Sequence, residues 1–404
     1  MPQVQAPPGR TAAPPGRTAA GPTDPPARPA PPDRAVVPAD RRSRGRLGPV
    51  VVGQLVVAEL AALACYAALG GPTWLAAVVG VVAVAAVAAA FARRGGRWWY
   101  EDLLLRRRLR LRREEARAAA GGGTGEARLA VLAPELTMIE LTERGTRLGV
   151  GQDVRGWFAA VALDPPPGAP AGSIDAAAVD RALAVLTEFT APVSLAQVVS
   201  HTLVWYPTPG ASPAAHRTVW VAVRLSVRDA RAEAVTRGGG TLGVHRTVAA
   251  AVGRLGKALH AAGLGHRVLG RDELRAALVS GAGLDLTPEP QAETWTGLRG
   301  GGWTQRCLAL RARAGATWGP LVDAVTATAA PSHTFAAVVR PGDRPGPPLL
   351  RVAAPADHVE ALVTVVRDVA RRAGTPARPL DGEHGPAAWA AAPTARRVID
   401  HRPT

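Results

Sequence analysis

The sequence predicts a membrane α-helical hairpin followed by a mixed α/β cytoplasmic domain, and three observations carry that reading. Two apolar stretches, 47–69 and 72–92, stand back to back with only Gly70 and Gly71 between them. Arginines crowd both flanks of the pair, while the turn carries no charge. Beyond residue 125 the apolar pattern switches repeatedly between a period of two and a period of about 3.6, the mark of strands alternating with helices.

Charge and cysteine usage narrow the function classes. The 404 residues carry a formal net charge of +16, and a single lysine, Lys257, stands among 48 basic side chains. Residues 41–118 alone hold fourteen Arg against five acids. A nucleic-acid binder concentrates its charge on a folded domain. Here the charge brackets the most apolar part of the chain, which points to a membrane boundary and away from nucleic acid. Two cysteines, Cys65 and Cys307, exclude a disulfide framework and a four-cysteine zinc site.

Residues 1–46 are rich in Pro and Ala, and the heptapeptide that starts at Pro7 repeats from Pro14. Prolines remove backbone donors, and few apolar side chains remain to offset the entropy of ordering, so a disordered cytoplasmic tail is expected. The two apolar stretches follow, each long enough to cross a hydrocarbon core of about 30 Å as a helix. The first is interrupted only by Gln54 and Glu59, and the second carries no charge. A retained anchor is preferred to a cleaved signal, because a long region precedes the first stretch and a second follows at once. Arg41, Arg42, Arg44 and Arg46 stand before the pair, and Arg93, Arg94 and Arg97 after it. The positive-inside rule then makes this a multi-pass cell-membrane protein with both termini cytoplasmic. Arg93, Arg94 and Arg97 with Trp98, Trp99 and Tyr100 form the expected membrane-interface group. Ala76 and Gly80, four apart in the second span, let helices approach closely, within the hairpin or against a partner. Glu59, near the middle of the first span, is read as an inter-subunit or intra-hairpin hydrogen-bonding group rather than a proton carrier.

Residues 93–125 read as a basic juxtamembrane helix ending in a glycine-rich linker. Six arginines between Arg106 and Arg113 alternate with leucines there. Such a helix attracts anionic lipid headgroups, although a solvated linker helix explains the same pattern. The α/β domain occupies 126–404. Strands are predicted over 136–141, 157–163, 193–205, 219–227, 306–310, 335–340 and 349–352. Helices are predicted over 176–188, 244–262, 272–279, 321–327 and 358–373. A faint echo runs through this domain: Ala262, Gly263, Arg267 and Leu269 recur 111 residues later as Ala373, Gly374, Arg378 and Leu380. Each set ends an amphipathic helix and is followed by a short extended piece. Two related strand–helix halves would produce this, and so would the ordinary likeness of glycine-ended helices.

Motifs that carry chemistry are few. The run from Arg237 to Gly243 contains the spacing G-x-G-x-x-G and opens a helix. A dinucleotide loop needs a strand ending immediately before it and an acid about 20 residues on. Here the strand ends earlier and position 260 is His. The run can hold an anion at a helix start, or simply allow close backbone packing. Cys307 lies in a strand with no base beside it in sequence, and reads as core. Asp381 and Gly382 read as a turn. No catalytic, cofactor or metal constellation emerges.

The arrangement resembles the EccE component of actinobacterial type VII secretion systems. The likeness lies in the apolar hairpin followed by Arg97-Trp98-Trp99-Tyr100-Glu101 and an arginine-rich helix. It continues through Arg237-Gly238-Gly239-Gly240 to Gly243, then Ala261-Ala262-Gly263, Arg267, Leu269 and Glu273-Leu274-Arg275-x-Ala277-Leu278. Near the end comes Arg378-Pro379-Leu380-Asp381-Gly382-Glu383-x-Gly385. The proline-rich tail lies outside it. The resemblance implies a non-catalytic structural subunit of a membrane-embedded export complex, with EccB, EccC and EccD type proteins as partners and no cofactor. The alternative from another class is a membrane-anchored enzyme acting on a phosphorylated or nucleotide-linked substrate through the turn at 237–243.

Overall fold

The computed structural model describes residues 46–47, 50–94, 97–119, 125–143, 145–208, 211–311 and 315–398. The predicted tail, apart from Arg46, lies outside them, and so do residues 121–124 of the predicted glycine linker.

Two apolar helices, α1 (Val52–Ala68) and α2 (Thr73–Phe91), pack side by side as a hairpin. Pro72 sets the start of α2, because its ring holds φ at −65° and its missing N–H is not needed before the first turn. Helix α1 begins at 52 rather than 47, since Arg46–Leu47 and Val50–Val51 pair as a short antiparallel ribbon. At about 1.5 Å per residue α1 is roughly 26 Å long and α2 roughly 28 Å. Among the described residues α2 is the one helix long and apolar enough to cross a membrane, and Gln54–Ala68 is apolar but shorter. A second ribbon, Arg93–Arg94 with Arg97–Trp98, leads into α3 (Trp99–Ala119), and α4 (Gly125–Ala130) precedes the sheet.

Twelve strands form one antiparallel sheet. In chain order they are β1 (Thr137–Glu143), β2 (Thr146–Asp153), β3 (Gly156–Leu163), β4 (Leu195–Trp205), β5 (Ala214–Ser226), β6 (His266–Val268), β7 (Ala292–Glu293), β8 (Leu298–Gly300), β9 (Trp303–Leu310), β10 (Ser332–Val339), β11 (Leu349–Pro355) and β12 (Ala377–Pro379). Their spatial order is β1-β2-β3-β5-β4-β10-β11-β9-β8-β7, with β6 beside β3 and β12 beside β9. The helices are α5 (Ala177–Thr187), α6 (Val227–Val235), α7 (Gly240–Ala261), α8 (Arg271–Ala282), α9 (Gly319–Thr326), α10 (Val359–Arg372) and α11 (His384–Ala391). Each predicted strand and helix of the domain coincides with one of these elements.

Alternation along the strands divides the core into two faces. Ala159 and Val161 of β3, with Val219, Val221 and Val223 of β5, meet α5, α7, α9 and α10 on one face. Phe158, Ala160 and Ala162 face α8 and α11 on the other. Strand β2 escapes a sequence reading because Gly149 and Gly151 dilute its pattern. Both glycines are required by close packing: a Cβ on Gly149 would lie 2.6 Å from the Gly270 carbonyl, and one on Gly151 would enter the Phe158 ring.

The sheet folds as two similar halves meeting at β4 and β10, which pair antiparallel from Leu203↔Ser332 to Ala196↔Val339. Leaving α6 aside, β3, α5, β4, β5, α7, β6 and α8 run in the same order as β9, α9, β10, β11, α10, β12 and α11. In each half the strand–helix part has the split β-α-β-β-α-β order. Positions 111 residues apart make matching bonds. The N–H groups of Leu264 and Thr375 donate to Leu259 and Ala370, and those of Leu269 and Leu380 donate to Ala160 and Cys307.

Candidate functional site

The hairpin comes first, since the sequence placed its candidate contacts there. Gln54, 3% exposed, donates from Nε2 to the Ala90 carbonyl at 2.7 Å and ties the start of α1 to the end of α2. Glu59 is exposed on the hairpin, so the polar contact between the two helices is made by Gln54. Periodicity could not show this, because Gln54 read only as an interruption. Ala76 and Gly80 are half-buried, and a Cβ added to Gly80 meets nothing within 4 Å. The close-packing face they offer is therefore not used up inside the hairpin. Of the predicted interface group, Arg93, Arg94, Arg97 and Trp98 have backbones in the second ribbon, and their side chains lie outside the described part. Trp99 and Tyr100 open α3, and the Trp99 indole N–H donates to the Ala89 carbonyl, fastening α3 to the last turn of α2.

Helix α3 docks on the second half of the domain. The Arg112 guanidinium forks onto the Glu293 carboxylate, with Nε at 2.9 Å from Oε2 and Nη2 at 3.0 Å from Oε1. Nη2 also donates to the Gly382 carbonyl at 2.7 Å, and Arg113 Nε donates to the Glu293 carbonyl at 2.6 Å. From below, the Gly385 N–H donates to Glu293 Oε1 at 2.8 Å, so the buried carboxylate is held from two sides. Arg106 lies 4.8 Å over the Trp295 ring and pairs with Asp102 at 2.9 Å. Gly382 completes the contact: at φ +78° it has no Cβ to strike the Trp295 ring. Beside this joint is a cavity of about 470 Å³, lined among others by Arg113, Arg117, Arg396, Glu115, Glu135 and Glu293. Counting Arg112, its lining carries four arginines against three glutamates, a near balance that singles out no class of ligand.

Buried charge is handled differently in the two halves. Asp153 and Arg224 form a bidentate pair, 2.6 and 2.9 Å, with side chains 0% and 2% exposed. Burial alone would raise the Asp153 carboxyl; the hydrogen bonds and charge of Arg224 overcome it and hold it below the ordinary value. Arg224 also donates to the Thr394 carbonyl and lies over Phe158. Arg351 in β11, fully buried, has neutral hydrogen-bond partners among the described residues: Thr334, Ser332, Gln305 and His201. Burial lowers it to about 10. His201 and His333 flank the seam between β4 and β10. Burial, reinforced by the Arg351 charge, keeps His201 well below its ordinary value, and burial takes His333 down to about 3.

Cys307 gains in space the base that it lacked in sequence, but not as a nucleophile pair. His384 Nδ1 accepts from the Cys307 backbone N–H at 3.1 Å, and the thiol faces the His384 carbonyl at 3.7 Å. Burial pushes the thiol up to about 12 and lowers His384. No three His, Cys, Asp or Glu side chains gather as a metal site among the described residues.

The turn at 237–243 links α6 to α7, and its glycines are explained by the fold. Gly238, Gly239 and Gly240 have φ of +98°, +71° and +58°. A Cβ on Gly243 would lie 2.6 Å from the Ala234 carbonyl. The N–H groups of Arg237, Gly239 and Gly243 are spent on Ala234 and Gly239 carbonyls. Further on, Glu273 accepts from the Gly270 N–H at 3.0 Å and pairs with Arg267, capping α8, while Leu274 and Leu278 fill the core.

Residues 213–310 match the family described as "Putative type VII ESX secretion system translocon, EccE". The match runs from β5 through α6, α7, β6 and α8 to β9, about a quarter of the chain, and passes in sequence from the first half into the second. It contains the glycine run, the end of α7 and the capped start of α8, so the resemblance to EccE read from these motifs is borne out over that stretch. Arg97 to Glu101 and Arg378 to Gly385 lie outside it. No curated protein matches the chain.

Proposed function

From the EccE match over residues 213–310 we infer that this chain is a non-catalytic structural membrane subunit of a type VII secretion complex. The apolar hairpin α1–α2 anchors it as two spans, with both termini and the α/β domain on the cytoplasmic side. EccB, EccC and EccD type proteins are its neighbours, and a separate ATPase supplies the energy of export. The observation that carries this is the family match; the arginines flanking an uncharged turn support the topology.

The hairpin groups that recognise neighbours are the Ala76/Gly80 face of α2 and Glu59 on α1. Apolar helices gain little hydrophobic free energy by associating in lipid, so close packing and polar contacts supply the specificity. Gly80 has open space in front of it and Glu59 is exposed. Gly80→Leu and Glu59→Leu are therefore expected to leave the hairpin itself intact and to weaken incorporation into the complex, read as co-migration with three other membrane proteins on a native gel in mild detergent. Glu59→Gln keeps the hydrogen-bonding capacity and assembles normally. Wild-type assembly of both leucine variants removes these groups from the interface, and isolation of the native chain without membrane partners sinks the subunit reading.

A further inference from the structure

We propose that α3 is a two-sided helix: its outer face lies on anionic lipid headgroups, and its inner face hands that attachment to the α/β domain through Glu293. The proposal rests on the membrane reading above. At about 100° per residue, Leu103, Leu104, Arg107, Arg110 and Leu111 fall within an arc of about 120°. Leu105, Leu109 and Arg112 fall on the opposite side. The structure agrees with this division: Leu105 and Leu109 are 6% and 4% exposed, whereas Leu103, Leu104 and Leu111 are 54%, 48% and 49% exposed. Arg107 and Arg110 are exposed between those leucines.

Leucines interleaved with arginines on one outward arc suit a headgroup layer. The leucines reach the acyl boundary while the guanidinium groups stay among the phosphates. Charge sign selects anionic lipid, since the only acid within that arc, Glu114, comes three residues after Leu111, past the stretch that carries Arg107 and Arg110. Placement agrees as well, because the Trp99 bond to Ala89 begins α3 at the end of α2. The arginines that serve the domain, Arg112 and Arg113, are turned the other way. One helix thus makes both attachments, and the Glu293 joint converts a lipid contact into a fixed orientation of the sheet.

The test uses the full chain with Cys65→Ser and a spin label on Leu104→Cys, reconstituted in nanodiscs of phosphatidylcholine with or without phosphatidylglycerol. Each arginine near an anionic surface contributes about fivefold to the bound fraction, so Arg107 and Arg110 together contribute about 25-fold. The label should become several-fold less accessible to a water-soluble relaxation agent in the anionic discs, and Arg107→Gln with Arg110→Gln should erase the difference. Equal accessibility in the two disc types overturns the headgroup contact. A chain that enters neither disc overturns the membrane reading on which it rests. Glu293→Ala should keep the label protected while the distance between labels at 104 and 235 broadens; an unchanged distance removes the coupling role of Glu293.

Discussion

The first half of the α/β domain and the second run through the same order of strands and helices, yet they treat their edges and their buried charges differently. In the first half the sheet ends in β1, seven residues long and bonded to a neighbour on one side only. In the second it ends in β7, two residues long, with α3 clamped over it through Glu293. Asp153 and Arg224 neutralise each other within the first half, whereas the second buries Arg351 among neutral dipoles. Topology therefore tolerates more than one electrostatic solution. What differs is whether a charge is balanced locally, and that sets how each half should fail.

The largest effect is expected at the balanced pair. Asp153→Ala leaves Arg224 buried without a counter-charge and should destabilise the domain by about 3–5 kcal/mol in denaturant titrations followed by tryptophan fluorescence in mild detergent. Adding Arg224→Met should restore much of the loss. Arg351→Met removes a charge hydrogen-bonded to no carboxylate among the described residues, with Asp285 acting on it only through space, and should lose less, about 1–3 kcal/mol for the acceptors left unpaired. An equal loss at both sites would break the comparison.

Acid should act at the seam where the halves meet. His333 in the folded chain is held at about 3, far below its ordinary 6.5, first by burial and then by nearby Arg217 and Arg351. The unfolded chain binds that proton near 6.5 and the folded chain does not. Stability is thus complete above 6.5 and falls with pH toward about 3, by about 1.4 kcal/mol per pH unit. His201, shifted in the same direction, adds to the slope. His333→Gln should make the decline between pH 6 and 5 shallower, in a window above most carboxylate titration. A slope unchanged by this variant would remove His333 as the source.

The smallest global effect is expected at the α3 joint. Glu293→Gln keeps one acceptor oxygen, for Arg112 Nη2 and the Gly385 N–H, but puts an amide NH2 that cannot accept where Arg112 Nε donates, and removes the charge, a loss of about 1 kcal/mol. The unfolding midpoint should scarcely move, while amide exchange along α3 accelerates and that of β9 and β11 does not. Acceleration throughout the second half would mean that the clamp holds the half together rather than holding α3 to it.

Much of the architecture was legible in the sequence, because burial and period are local properties. Residues 157–163 read as a strand without any partner being known, since Trp157, Phe158 and Val161 sit in an unbroken apolar run. The glycines at 263 and 374 marked helix ends because the chain there needs positive φ, +71° and +74°. Strand β2 was not legible, since Gly149 and Gly151 answer to Gly270 and Phe158 rather than to neighbours in sequence. Nor was α11, whose alanines and Pro386 show no helical stripe because it is buried on every side.

The sequence by itself determined the apolar hairpin, the charged boundary around it, the alternation of strands and helices and the motifs that match EccE. Each of these is written in residues close together along the chain. Only the tertiary structure decided which arginine serves which purpose. Arg112 and Glu293 are 181 residues apart, Arg224 and Asp153 are 71 apart, and Cys307 meets His384 across 77. A periodic pattern tells a side chain whether to face inward. The partner it meets there depends on the order in which strands lie side by side, and that order is settled only when the two halves join along β4 and β10.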